Sequence, residues 1–193
     1  IGSDDEPANL IFSTNGGSTS VTERMRIDSS GQVMIGCTSA PSASTTGFGV
    51  FEGGAGKNYI LTSGGVTGTN EHHEFFNPNG KVGSITTNGT STAFNTSSDY
   101  RLKENAVAIS DGISRLKTLK PYRFNFKADA SQTLDGFFAH EVTAVPEAIS
   151  GDKDAVKEDG SIEPQGIDQS KLVPLLVASV QELIGKVEAL EAA

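Results

Sequence analysis

The first half of the chain carries short runs of apolar and β-branched residues that are separated by turn residues. Seven such runs predict strands, at residues 10–13, 25–28, 32–35, 48–52, 59–62, 74–77 and 81–86. Residues 1–98 hold 16 of the 22 glycines, and the turns are rich in Gly, Ser, Asn and Pro. This pattern predicts an all-β region. Its strands are too short and too weakly apolar to bury a core alone, so we expect identical strands of neighbouring chains to complete it.

The period of the apolar residues changes in the second half. Helical spacing predicts a helix over residues 105–119, with an apolar face formed by Val107, Ile109, Ile113, Leu116 and Leu119. Pro121 opposes its continuation. Residues 122–126 alternate large and polar side chains as a strand does. Residues 136–142 predict a further short strand or strand-helix element, and residues 151–166 predict a charged hairpin or loop.

The last segment has an apolar repeat that is typical of a coiled-coil seam. Successive intervals of 3, 4, 3, 4 and 3 residues separate the members of this seam: Val173, Leu176, Val180, Leu183, Val187 and Leu190. A helix of this length is marginally stable alone, so the seam packs either against copies of itself or against the chain's own body. Pro174 fits a helix that begins shortly before it, since the first turn tolerates a missing N–H.

Composition narrows the classes of partner. A formal net charge of −9, without a Lys/Arg cluster, argues against a nucleic-acid partner. The longest apolar run, at residues 172–180, is far too short to span a membrane, so we expect no membrane partner. The single cysteine, Cys37, excludes an intrachain disulfide, and no motif predicts a cofactor. Because the chain starts with Ile1 rather than Met, we expect it to be the end of a longer protein.

A polar segment, NTSSDYRLKEN at residues 95–105, separates the two halves. In one interpretation Ser98 or Asp99 caps a short helix, and Arg101 and Lys103 lie on its exposed face. In another, Ser98 and Lys103 form a catalytic dyad, because a neutral lysine close to a serine hydroxyl can accept its proton. Five residues separate the two side chains, so a turn must bring the lysine back. The cap provides such a turn, and the two interpretations are compatible.

The EHHE run at residues 71–74 raises the question of a metal site. On a regular strand, His72 and Glu74 would share one face, and Glu71 and His73 the other. Each face then offers only two ligands, too few for a structural metal in one chain, although a threefold axis would multiply either pair. We therefore expect a surface or interface strand and no metal.

Several segments occur in a fixed order over residues 95–193: SSDYRLKEN, DGFFAHEV with VPEAI, and SKLVPLLVASVQEL. In this order they resemble the C-terminal intramolecular chaperone of bacteriophage tailspikes, tail fibres and neck appendages, an endosialidase-type family that cuts its own chain. Upstream, ERMRIDSSGQVMIGCTS and NPNGKVGSIT resemble the repetitive stalk sequences of phage fibres.

This resemblance implies a serine peptidase that acts once, on its own chain. Ser98 matches the family's nucleophile and Lys103 its general base. Cleavage is expected at the Ser98–Asp99 bond, which gives pieces of 98 and 95 residues. Asp99 and Arg101 match the other polar positions of the motif, and we expect them to form the turn.

Two further residues have open roles. His140 stands where the family more often has glutamine, and it is either a proton relay or an ordinary, partly buried histidine. Glu141 either orients Lys103 or forms a structural salt bridge.

The route of cleavage is also open. A hydroxyl of Ser98 that attacked the preceding carbonyl would cut between Ser97 and Ser98, whereas attack on its own carbonyl would require a strained four-membered ring. Cleavage after Ser98 therefore requires a serine of a neighbouring chain or a water molecule that the dyad activates.

The resemblance implies a mixed fold in a homotrimer. Residues 1–98 are expected to form an N-terminal all-β intertwined trimeric stalk, a triple β-helix. Residues 99–193 are expected to form a C-terminal α+β chaperone domain that ends in a long coiled-coil-like helix. This domain registers three chains, acts on the N-terminal fibre portion of its own chain and is then released.

Location and function follow from the same resemblance. We expect assembly in the host cytoplasm and a final place in the virion tail fibre or tailspike. The alternative is a purely structural, uncleaved, receptor-binding fibre tip, in which Ser98 and Lys103 only cap and solvate a turn.

Overall fold

A computed structural model describes residues 8–17 and 20–193 of the chain. The first seven residues of the predicted stalk, and residues 18 and 19 within it, lie outside the described part. The chain divides into two compact units, Ile1–Glu104 and Asn105–Ala193, called unit 1 and unit 2 below. The domain boundary predicted after Ser98 stays a prediction.

Unit 1 begins with a five-stranded antiparallel sheet in which consecutive strands pair. Its strands are β1 (Leu10–Thr14), β2 (Thr22–Ile27), β3 (Val33–Ile35), β4 (Gly47–Glu52) and β5 (Asn58–Ser63). Glycine is required inside β4, because a side chain at Gly49 would overlap the ring of Phe51 and the carbonyl oxygen of Val33.

A three-stranded antiparallel sheet follows, formed by β6 (Asn70–Asn77), β7 (Gly80–Asn88) and β8 (Ser91–Thr96), with β7 in the centre. The hairpin between β6 and β7 turns through Pro78 and Asn79 into Gly80, whose φ of 100° suits glycine. All seven predicted strands are confirmed, and β8 is an additional one.

Unit 1 buries few large apolar side chains. Among its described residues, Met34 and Phe51 are buried, whereas Leu10, Ile11 and Phe12 of β1 are all about half exposed. Ser84 and Thr86 of β7 are buried although they are polar, and the amide of Asn95 donates to both hydroxyls. This unit therefore leaves much apolar surface exposed in the single chain.

Unit 2 mixes small sheets and helices. Its elements are α1 (Gly112–Leu116), β9 (Tyr122–Phe126), β10 (Asp129–Gly136), β11 (Ile149–Ser150), β12 (Gly166–Ile167) and α2 (Val173–Glu191), with β9 paired to β10 and β11 to β12. The charged segment before β12 is a hairpin closed by a bridge between Val156 and Ile162. The strand and the hairpin predicted at residues 122–126 and 151–166 are thus present.

The core of unit 2 lies beneath the first turns of α2. Its buried members are Val142, Val145, Ala148, Leu172 and Leu175. A short 3₁₀ helix, Gln169–Leu172, leads into α2, and Pro174 lies in the first turn of α2, where no N–H is needed.

The helix predicted over residues 105–119 is wrong for its first part. Only Gly112–Leu116 is helical, Asn105 has a positive φ of 53°, and Val107 is 89% exposed. The apolar spacing predicts a helix here, but Val107 and Ile109 in the first part of the stretch are exposed and lie outside the core of unit 2, so they do not stabilise one.

The fold class is mixed and mostly β, with a long helix at the C-terminal end, as predicted. Across the described residues, no helix combines the length and the apolar content that a membrane crossing needs.

Candidate functional site

Ser98 stands at the end of the three-stranded sheet of unit 1. The backbone N–H of Ser97 still donates to the carbonyl oxygen of Val82, at 3.0 Å, and extends the pairing of β8 with β7. Ser98 itself is exposed and no longer part of the strand. The sheet therefore holds the chain up to the residue before the proposed nucleophile.

The next residues form the predicted turn. Asp99 is the N-cap of a 3₁₀ helix, Tyr100–Leu102, and its Oδ1 accepts the backbone N–H of Arg101 at 2.9 Å. The side chain of Arg101 also returns to Asp99, with Nη2 at 2.6 Å from Oδ2. The Arg101 guanidinium and then its backbone N–H hold the pKa of the Asp99 carboxyl below its ordinary value.

Lys103 closes the turn onto Ser98. The backbone N–H of Lys103 donates to the carbonyl oxygen of Tyr100 at 3.1 Å, which ends the 3₁₀ helix. The Lys103 amine Nζ then lies 2.7 Å from the hydroxyl Oγ of Ser98 and donates to it. The Asp99 cap and the close contact between Ser98 and Lys103 are thus both present in the same chain, so the two interpretations of this segment do not exclude each other.

This geometry meets one requirement of a serine–lysine dyad. The Ser98 hydroxyl and the Lys103 amine lie within hydrogen-bond distance of each other, as a nucleophile and its base must. The second requirement is that the lysine be neutral, which burial favours. Ser98 and Lys103 are both exposed in the single chain, and the neighbouring Tyr100 is 81% and Leu102 75% exposed.

His140 and Glu141 lie in unit 2, within the 3₁₀ helix Ala139–Glu141. The ring of His140 is exposed and stacks on Phe138 at 6.1 Å between centroids. Glu141 forms the structural salt bridge that was one of its two expected roles, with Lys120 Nζ at 3.1 Å. Roles for either residue in supporting Lys103 stay predictions.

Two partners of Glu141 escaped the sequence analysis. The Tyr122 hydroxyl and then the Lys120 amine hold the pKa of Glu141 below its ordinary value, and Glu141 in turn raises the pKa of Tyr122. Lys120 and Tyr122 flank Pro121 in the sequence, where β9 begins. The Lys-Pro-Tyr sequence at the start of this strand was the only sequence feature that pointed to Lys120 and Tyr122 as partners of Glu141.

The EHHE run departs from regular alternation, which corrects our assignment of its faces. A β-bulge between Glu71 and His73 inserts one residue, and both Glu71 and Glu74 pair with the Lys81 amine on β7, Glu74 at 2.6 Å. His72 Nε2 contacts the hydroxyl of Thr87 at 2.9 Å. Among residues 8–17 and 20–193, no group of three or more His, Cys, Asp or Glu side chains is arranged to hold a metal.

The seam residues of α2 all lie on an exposed face. These residues are between 44% and 77% exposed: Val173, Leu176, Val180, Leu183, Val187 and Leu190. The helix packs on its own unit through a different face, which carries the buried Leu175 and Ser179. The seam therefore remains available in the single chain.

One family model matches part of the chain. Residues 98–150 match a peptidase family described as chaperone of endosialidase, so the match begins at Ser98. This confirms over those residues the resemblance expected from the sequence. The match indicates a chaperone role in the folding of phage tail proteins, and the seam lies beyond it. No curated protein and no solved structure matches the chain.

Proposed function

We propose that this chain is the assembly module of a phage tail fibre or tailspike. In this proposal unit 2 aids the folding of an intertwined β stalk and is released when the chain cuts its own Ser98–Asp99 bond. The observation that carries the proposal is the 2.7 Å contact between Lys103 Nζ and Ser98 Oγ, at the first residues of the family match. No cofactor is required for this chemistry.

Ser98 is the proposed nucleophile and Lys103 the proposed base. Neutral Lys103 accepts the hydroxyl proton as Oγ attacks a carbonyl carbon, and it then returns that proton to the leaving backbone amine. The resulting ester is hydrolysed by water, which leaves a carboxylate and the regenerated hydroxyl. A general base of this kind contributes about 10²–10⁴ to a rate.

The position of the cleaved bond determines whether the attacking group is Ser98 of the same chain, Ser98 of another chain or a water molecule. Attack by Ser98 on the preceding carbonyl would separate Ser97 from Ser98, and attack on its own carbonyl requires a four-membered ring. Cleavage between Ser98 and Asp99 therefore proceeds through Ser98 of a neighbouring chain or through a water molecule activated by the pair.

Association of three chains would cover apolar surface, and the surroundings of Lys103, that the single chain leaves exposed to water. The exposed seam of α2, with its 3-4 spacing, supports a coiled coil between copies. The half-exposed strand β1 in unit 1 supports an intertwined stalk. Neighbouring chains that cover Tyr100 and Leu102 would also exclude water from Lys103 and favour its neutral form.

The proposed partners are two further copies of the chain and the N-terminal fibre portion of the same chain. The net charge of −9 supports a module that binds no nucleic acid, and we propose no membrane partner. The proposed location is the virion tail, after assembly in the host cytoplasm.

The test is the intact mass of the freshly expressed chain. Cleavage at the proposed bond gives fragments of 98 and 95 residues in place of the 20.1 kDa chain. Ser98→Ala and Lys103→Ala should each leave the chain whole. Ser97→Ala is the matched control, because it changes the neighbouring serine and should still be cut.

An uncut wild-type chain would favour the alternative of a purely structural fibre tip. Fragments of 97 and 96 residues would instead identify attack on the preceding carbonyl. A wild-type chain that also cuts an added Ser98→Ala chain would show that the serine of one chain acts on another.

A further inference from the structure

Both oxygens of the Asp99 carboxylate are bound by one residue. Oδ1 accepts the backbone N–H of Arg101 at 2.9 Å and its Nε at 3.0 Å. Oδ2 accepts Nη2 of the same guanidinium at 2.6 Å. A planar guanidinium fits a carboxylate in this two-pronged way, whereas a lysine amine binds as a single point charge.

Lys103 is the residue that would otherwise compete for this carboxylate. It follows Asp99 by four positions, a spacing at which opposite charges meet on a helical turn. In the part of the chain that the structure describes, Lys103 nevertheless forms no salt bridge, and its amine lies on Ser98 Oγ. Arg101 holds the carboxylate that would draw Lys103 away.

We propose that Arg101 is a positioning residue that occupies the Asp99 carboxylate and thereby leaves the Lys103 amine on Ser98. This inference rests on the proposed self-cleavage and adds to it a reason for the arginine. Within the part of the chain that the structure describes, the backbone N–H and the guanidinium of Arg101 donate to the Asp99 carboxylate and not to Ser98, so Arg101 acts through Asp99.

The other charged groups around the turn do not replace this arrangement. Glu104 follows Lys103 directly and is exposed. On the neighbouring strands Lys81, which lines a small cavity with Ser97, is already paired with Glu71 and Glu74. Asp99 is therefore the carboxylate that loses its ion-pair partner when Arg101 is removed.

Removal of Arg101 should affect both the rate of cleavage and its dependence on pH. A freed Asp99 carboxylate attracts the protonated lysine and opposes loss of its proton. An exposed ion pair changes such an equilibrium by up to about fivefold, which corresponds to about 0.7 pH unit. We expect Arg101→Ala to slow cleavage by about two- to fivefold at neutral pH and to displace the pH–rate curve to higher pH by up to that amount.

The experiment compares cleavage rates of full-length chains from neutral to alkaline pH. Arg101→Ala should be slow and displaced, and Asp99→Asn combined with Arg101→Ala should restore the wild-type curve, because asparagine still caps a helix but carries no charge. Arg123→Ala is the matched control. It removes a similar exposed fork, Arg123 Nε to Asp135 Oδ1 at 2.8 Å, and should leave the curve unchanged.

The outcomes separate this inference from the proposal beneath it. An Arg101→Ala chain with the wild-type rate and curve overturns the role of Arg101 alone. The role of Arg101 is also overturned if the Asp99→Asn, Arg101→Ala double variant cuts as slowly as Arg101→Ala while its pH–rate curve matches that of the wild type. That result would indicate that removal of Arg101 only disrupts the turn. A wild-type chain that is uncut at every pH overturns the self-cleavage and this inference together. Because the Arg101 side chain is 73% exposed, its removal should not prevent folding.

Discussion

Gly112, at the start of α1, lies directly against the backbone of Ser179 in α2. A methyl group on Gly112 would come within 2.7 Å of the Ser179 nitrogen and 2.9 Å of the Ala178 carbonyl carbon. Backbone atoms cannot move aside as a flexible side chain can, so the absence of a side chain at Gly112 sets how closely the two helices approach.

Gly112→Ala should therefore destabilise unit 2. Overpacking at a site closed by backbone costs about 1–3 kcal/mol. Urea unfolding followed by helical circular dichroism reports this unit, because both α-helices belong to it. Gly185→Ala is the matched control within α2. Nothing lies within 4 Å of its added methyl, so it should stabilise the helix by about 1 kcal/mol. Equal effects at the two glycines would contradict the close contact.

Lys103→Arg should abolish cleavage while it preserves the charge and a hydrogen-bond donor near Ser98. Arginine does not lose its proton in proteins, so it cannot act as a base. The loss should be at least about 10²-fold, the lower range for a general base. A time course of fragment formation on denaturing gels measures it. Lys57→Arg, in the exposed turn between β4 and β5, should cut at the wild-type rate. A Lys103→Arg chain that cuts normally would sink the assignment of the base.

Leu183→Asp should disrupt association of the chains. Leu183 is 53% exposed in the single chain and lies in the middle of the seam, where a charge is unfavourable between packed helices. Light scattering after size exclusion should give three chains per particle for the wild type and fewer for this variant. Gln181→Asp adds the same charge to an exposed position outside the seam and should remain trimeric. A wild-type monomer at micromolar concentration would remove the seam's proposed role.

Glu182 should make the stability of unit 2 dependent on acidic pH. Its Oε2 accepts the backbone N–H of Ile113 at 3.0 Å, and this bond, then Lys186, lowers the pKa of Glu182. A lowered folded-state pKa contributes stability above the unfolded value of about 4.3 and loses it as pH falls through the folded value. Glu182→Gln should thus be less stable than wild type at neutral pH and equal to it in acid.

Unfolding midpoints at several pH values check this prediction. Glu188→Gln is the control, because the Glu188 side chain has no hydrogen bond or salt bridge to another described residue. A difference between Glu182→Gln and wild type that persists unchanged into acid would mean that the carboxylate charge is not what stabilises the start of α1.

The sequence predicted the strands of unit 1 wherever a short apolar run is flanked on both sides by turn residues. It missed β8, because Ser91–Thr96 contains only Ala93 and Phe94 as apolar residues and is held by pairing with β7. It also misassigned the faces around Glu71, since one bulge residue reverses the alternation after it. Bulges and edge pairing depend on partner strands, which local patterns do not specify.

The candidate site was more accessible to sequence reasoning than the helix before Pro121. Asp99 and Lys103 act through contacts within five residues, so local capping rules were sufficient to predict the turn. The apolar residues from Val107 to Leu119 together approximate helical spacing, but the conformation of Val107 and Ile109 depends on what packs against them. Spacing could not reveal that Val107 and Ile109 lie away from the core of unit 2.

The contact between Ser98 and Lys103 crosses the bond that we propose is cut. After the cut, the hydroxyl belongs to the fragment that ends at residue 98, and the amine belongs to the fragment that begins at residue 99. Departure of the second fragment thus carries the base away from the nucleophile. The finished fibre would retain a lone serine at its tip and no hydrolytic activity toward other proteins, so the reaction limits itself to one event per chain without any inhibitor.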